Sequence, residues 1–508
     1  MSWIDTGIIV AYITAMVVVG IASRGKQEDE SDYFTGGVGH SRWLGMLIIG
    51  LSIGATFFSG ISLLAYPSTS FSDGVTIWAV LLTLPIAGVI VSTFFLPAFF
   101  AQKVHQPYEL IERKFGYPTR AVAAGMYILQ RVAWMGVLIY APVAAIQAGA
   151  GLDDYWFWPL VLLIGISSTL YTSLGGIRGV LVTDAIQFVV MGLGVLGPLL
   201  YITFASDIAW SDGWNYLEDQ GKLAWVKLSF DMTESRTLWS ILAGVTIANL
   251  SMYMADQMSL QRYIASGDLK ASRGAFLLNI IGVTLVVGLL ILLGLALVIW
   301  YGLAVTDIPP AEADKVFPTF VGTYLPPGIP GLIFAAILAA TMSSITSGVN
   351  SLAGCLTMDF VGRTQHFQSH QSRLQFARWA SVCIGLSATV VAGYVHQLGS
   401  IFDMAQTLLG VFLGPLLACI VYAISPFRVG GTSMICGMIL GTAAGWGLVA
   451  LKLNEHGHLH WNIAPLWIGP ISTLVAFLIP AFVLVLNVVL FSDPLKESAK
   501  EPASADAT

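Results

Sequence analysis

Ala340-Thr341-Met342-Ser343-Ser344-Ile345-Thr346-Ser347, with Asn350 and Ser351 just beyond, lies inside an apolar stretch that begins near Gly328. The stretch is long enough to cross a bilayer as a helix, which takes about 20 mostly apolar residues. At helical spacing Ala340, Ser343, Ser344, Ser347 and Ser351 share one face. That face is a column of neutral oxygens in surroundings where every polar atom is expensive. Two readings fit. Hydroxyls can glue helices together, at about 0.6 kcal/mol per contact. Hydroxyls and carbonyls can also ligate a hard cation such as sodium without trapping it. So dense a cluster favours the second reading.

The rest of the chain suits such surroundings. Of 508 residues, 56% are hydrophobic and 10% charged, where a soluble domain carries about 25% charged residues. This excludes a wholly soluble, disordered, collagen-like or disulfide-framework protein and implies an all-α integral membrane protein. About thirteen spans are expected. A leading span covers roughly Asp5–Ser23, and ten core spans begin near Trp43, Val75, Arg120, Tyr155, Gly176, Thr237, Ser272, Gly328, Leu374 and Leu398. Two trailing spans begin near Met434 and Ile463. Met1-Ser2-Trp3-Ile4-Asp5 has no basic region, so the first span reads as retained rather than as a cleaved signal. Residues 1–492 are expected to form one transmembrane domain and 493–508 a disordered cytoplasmic tail.

Lysine and arginine alternate between loops, at about 17 on one side and 5 on the other. The rich side includes Arg24, Arg113, Arg262 and Arg373; the poor side includes Lys222, Arg236 and Lys315. Positive charge marks the cytoplasmic side. The expected arrangement is a multi-pass protein of the cell membrane with its N-terminus outside and its C-terminus inside. The net charge of −6 argues against a nucleic-acid partner. Cys355, Cys383, Cys419 and Cys436 all fall in apolar stretches and read as packing residues. The tract His456-Gly457-His458-Leu459-His460 reads as a solvated loop rather than a metal site. No GxxxxGK[ST] cradle, HExxH or GxSxG motif occurs, so neither an ATP-driven motor nor an intramembrane enzyme is expected.

Further polar positions interrupt the spans. Gly54-Ala55-Thr56-Phe57-Phe58-Ser59-Gly60 in core span one either breaks its helix, freeing carbonyls for a cation, or forms a small-residue packing seam. Asp184, near the start of core span five, is either functional or paired with Arg178 near the surface. Asn249, Ser251, Tyr253, Asp256 and Gln257 make core span six polar. Arg131 either meets an anionic solute or pairs with a helix-end carbonyl. Asp403 and Gly410, Gly414 and Pro415 suggest a broken, movable core span ten.

Four pieces in order resemble the sodium:solute symporters, whose members carry sugars, proline, sialic acid, iodide, monocarboxylates and vitamins. They are Asp32-Tyr33-Phe34-Thr35-Gly36-Gly37, the segment Tyr171–Gln187, Gln261-Arg262, and Ala340–Ser351. The resemblance extends over most of residues 5–490. It implies a LeuT-type five-plus-five inverted repeat: leading helix 5–23, first repeat 40–204, inverted repeat 236–426 and trailing helices 432–491. Core spans one and six, five apart, cross in opposite directions, as such a repeat requires.

The resemblance also implies ligands. Sodium, the co-transported ion, falls to the Ala55 and Phe58 carbonyls of core span one and to the Ala340 carbonyl and the Ser343 and Ser344 hydroxyls of core span eight. Asp184, Ser343, Thr346 and Ser347 match a second sodium site of some relatives. A solute pocket is implied near the midplane, with Thr56, Phe57, Ser59, Trp78, Trp134, Asn249, Tyr253 and Gln406 as lining candidates. Leu64-Ala65-Tyr66-Pro67 and Met135–Pro142 look like the branch for monocarboxylates, iodide and vitamins. The function implied is sodium-coupled secondary active symport, importing a small organic solute or anion by alternating access. The rivals are a sodium-independent uniporter or channel and a transporter-like membrane sensor. Solute identity and oligomeric state are not set by the sequence.

Overall fold

The computed structural model describes residues 2–22, 50–55, 58–104, 106, 108–205, 208–224, 226–234, 236–361, 369–395, 401–453 and 463–491. Among the described residues there is helix and no strand. Helices satisfy their own backbone hydrogen bonds, which lipid cannot do for them. The longer helices are α1 (Trp3–Ala22), α2 (Gly60–Asp73), α3 (Val80–Ile90), α4 (Tyr117–Ala150), α5 (Phe157–Ala205), α6 (Leu238–Met254) and α7 (Gln257–Ala265). They continue as α8 (Leu269–Ile299), α9 (Ala313–Tyr324), α10 (Ile329–Cys355), α11 (His370–Ala392), α12 (Ile401–Ile424), α13 (Gly431–Leu453) and α14 (Pro465–Phe491).

Among the described residues, nine helical runs are long and apolar enough to span a bilayer, or ten with the bent pair α6–α7. The thirteen expected spans do not map onto these one for one. The leading helix has a shorter apolar run, Trp3–Val19. Core spans one and two meet without a loop at Gly74, where φ is +66° and a Cβ would overlap the Lys222 carbonyl. Core spans four and five share α5, whose 49 residues would extend about 74 Å if straight, more than twice a hydrocarbon core.

α10 is the most enclosed of the spanning helices described, almost entirely buried along its apolar run, whereas α13 and α14 are mostly exposed along theirs. Its small residues let neighbours approach closely. Gly348 packs on Met135 and Arg131 of α4. α1 fixes where α10 starts: the buried Asp5 carboxylate accepts the Gly328 and Gly331 N–H groups at 2.8 and 3.0 Å. This caps a helix end that would otherwise leave donors unpaired.

Two spans are broken beside α10. Residues 50–55 are helical and α2 restarts at Gly60, with Ser59 extended at φ −100° and ψ 172°. α6 and α7 meet at 48° across Ala255 and Asp256, and Asp256 caps α7 by accepting the Met258 N–H at 2.9 Å. The break expected at Gly410, Gly414 and Pro415 is absent: α12 runs through all three. Those glycines serve close packing instead. A Cβ on Gly410 would lie 2.6 Å from the Gly469 Cα atom of α14. The His456–His460 tract and the tail beyond 491 lie outside the described residues.

Candidate sodium cage and solute pocket

The first break lies against the hydroxyl face of α10. The Ser343 hydroxyl donates to the Ala55 carbonyl at 2.8 Å and lies 3.0 Å from the Ala340 carbonyl. Three of the five oxygens expected to hold sodium therefore converge on one point, between elements 288 residues apart. Phe58 and Ser344, which would supply the other two, are each 1% exposed, and the Phe58 N–H donates to the Gly54 carbonyl at 2.8 Å. A broken helix provides the free carbonyls; the i, i+3, i+4 face of α10 provides the hydroxyls. Close approach depends on Gly60, where a Cβ would overlap Thr341 Oγ1 and lie 3.2 Å from the Ile337 carbonyl. A cage of neutral oxygens suits a hard monovalent cation that must later leave.

The residues of the expected second sodium site gather around an arginine. Asp184, fully buried, accepts from Ser52 at 2.9 Å, from Ser347 at 3.2 Å and from Arg262 at 3.1 Å. Thr346 instead donates to the Ser343 carbonyl at 3.0 Å. The described ion-pair partner of Asp184 is thus Arg262, from the Gln261-Arg262 piece; the Arg178 side chain lies outside the described residues.

Phe58 also borders a cavity of about 80 Å³ lined by Ser59, Trp134, Asn249, Tyr253 and Gln406, five of the eight expected solute residues. Thr56 and Phe57 lie outside the described residues. Trp78 is elsewhere: it lines a separate apolar cavity with Trp210 and Trp214. An aromatic residue type does not tell which face of its helix meets the solute. Arg131 is not in the pocket either; it pairs with Asp256. Sequence reasoning missed Ser62, Tyr66 and Phe402. Ser59, Ser62 and Tyr66 stand at i, i+3 and i+7, the signal that could have found the first two.

The pocket is held by polar clasps. Asn249 donates to the Thr83 hydroxyl at 3.1 Å, and Asn279 donates to the Tyr253 hydroxyl at 3.2 Å. None of the described lining side chains is charged. Phe402 lines the pocket and also borders a second cavity of about 460 Å³ lined in part by Arg236, Glu312, Asp314 and Lys315. There Asp314 ties α2 to the start of α12, accepting from Ser68 at 2.7 Å and from the Ile401 N–H at 3.0 Å.

Comparison with known proteins gives the arrangement a context. Residues 33–441 match the model of the sodium:solute symporter family. The chain is 27% identical to a sodium/sialic acid symporter of Proteus mirabilis over 87% of this chain and 89% of that protein. It is 28% identical to the human sodium/iodide cotransporter over 79% of this chain, spanning 62% of that longer protein. A solved structure of a Na+-coupled sialic acid symporter, substrate-bound and outward-open, superposes with a TM-score of 0.82 at 25% identity, covering 96% of this chain and 98% of that one. The fold is therefore the LeuT-like one.

Proposed function

The chain belongs to the sodium:solute symporter family, and from that premise we propose that it imports a small solute together with sodium held by the Ala55, Phe58 and Ala340 carbonyls and the Ser343 and Ser344 hydroxyls. Family membership makes it a multi-pass membrane transporter, sodium-coupled and not an enzyme. The observation that carries the ion assignment is the 2.8 Å contact of Ser343 with the Ala55 carbonyl across the first break. Sodium there ties the broken span to α10 and shapes the adjoining pocket, where Ser59, Trp134, Asn249, Tyr253 and Gln406 meet the solute. Thr56 and Phe57, outside the described residues, are proposed to join them. In this reading the N-terminus faces outside and the C-terminus the cytoplasm, which the charge bias supports.

The cycle follows from these parts. Sodium binds from outside and favours the outward state; solute then permits closure; loss of sodium inside undoes the tie and releases the solute. Each charge moving down 100 mV supplies about 2.3 kcal/mol. At about 1.4 kcal/mol per tenfold ratio, one ion sustains roughly 40-fold accumulation of a neutral solute. A second ion at Asp184, Ser343, Thr346 and Ser347 would add to this. It must displace Arg262 from Asp184.

A solute panel in proteoliposomes with an imposed sodium gradient tests the proposal. Uptake of one small organic solute or anion is expected with sodium outside and not with potassium. Equal uptake in both salts would favour a uniporter or channel.

A further inference from the structure

The α10 face that carries Ser343 continues as Ser347 and Ser351, one hydroxyl per turn. Ser347 touches the Asp184–Arg262 pair. Ser351 lies 2.9 Å from the Tyr127 hydroxyl, which in turn donates to the Asp256 carboxylate at 3.2 Å. Asp256 is paired with Arg131. The first station on this face is neutral. The next two each combine a carboxylate with an arginine, and both lie toward the side richer in positive charge.

Folding alone gives little reason for the second pair. Arg131 is 2% exposed and Asp256 0%. Replacing a buried ion pair with well-packed apolar groups is often neutral or stabilising. This pair sits at the α6–α7 break and ties it to α4. Beside it in sequence, Gln130 next to Arg131 and Asn350 next to Ser351 are fully buried. Both amide atoms of each have no hydrogen-bond partner among the described residues. Such orphaned amides are rare in native proteins and call for an explanation. Amide oxygens are good ligands for hard cations, so these unmet groups, next in sequence to Arg131 and Ser351, suit a passing cation.

We propose that Asp256, with the Ser351 hydroxyl near it, is a further monovalent-cation station on sodium's way inward, and that Arg131 is its resident counter-ion. Arg131 closes the route while the pair is intact; movement at the α6–α7 break parts it and lets the carboxylate serve sodium. This rests on the reading that sodium starts from the Ala55–Ser343 cage.

The test is thermal unfolding of the purified full chain in lipid nanodiscs, in matched sodium, potassium and choline chloride. Arg131→Gln leaves Asp256 without its counter-ion. Its sodium-over-potassium shift in unfolding temperature should exceed the wild type's, and labelled sodium should leave loaded vesicles faster. The Arg131→Gln/Asp256→Asn double variant should lose the excess shift and keep the wild-type one. An Arg131→Gln protein equally unstable in all three salts, or folded in none, overturns the proposal. Failure of the cage reading looks different: the wild type would show no sodium-specific shift and Ser343→Ala would change nothing.

Discussion

Ser343 and Ser344 are adjacent in sequence, buried, and assigned to the same ion. A hydrogen bond or ligand contact to a charged partner contributes about 1.5–3 kcal/mol, which corresponds to roughly a ten- to hundredfold change in affinity. Ser344→Ala removes one oxygen and leaves the volume of the helix face almost unchanged. The external sodium concentration for half-maximal uptake should rise by about that factor, with maximal uptake less affected. Sodium titration of uptake at matched protein levels checks it. At this scale the sequence was most informative where a residue was out of place: hydroxyls in lipid were conspicuous, and so were the glycines around Ala55. It was least informative about partners. Arg131 and Asp256 are 125 positions apart, and only the packing of α4 on the α6–α7 break brings them together.

Between elements, the contact that matters is the one made by α2 and α10 at Gly60. A Cβ there would overlap Thr341 Oγ1, and overpacking of this kind typically costs about 1–3 kcal/mol. Gly60→Ala should lower the unfolding temperature and weaken sodium-dependent stabilisation, because the broken span is pushed off the hydroxyl face. Adding Thr341→Ala removes the obstructing atom and should restore most of both; thermal scans with and without sodium read this out. The two breaks were not equally legible. Gly54 to Gly60 stood out by composition, whereas the polar run ending in Asp256 and Gln257 marked core span six as polar without showing that it bends. Gly410 and Gly414 carried the same composition signal and mark a packing seam with Gly469 instead. Glycine in a membrane helix reports close approach and breakage alike, so composition alone could not separate them.

For the molecule as a whole, hydropathy and the alternation of positive charge carried the membrane class and its helices, while the number of spans was harder to read. Sharp turns such as Gly74 and long runs such as α5 join spans without the polar loops that a sequence reader counts. Orientation is checked by labelling. In intact cells Glu218→Cys should react with a membrane-impermeant maleimide and Ser498→Cys only after permeabilisation; the reverse pattern would invert the topology. The roles proposed for the pocket, the cage and the ion pairs all depend on one proposed ion between the first broken span and α10. Binding of labelled sodium to the purified protein, wild type against Ser343→Ala, measures that directly. A saturable wild-type curve, shifted to roughly tenfold higher sodium or more by the substitution, is the predicted result; identical curves for the two proteins would contradict it.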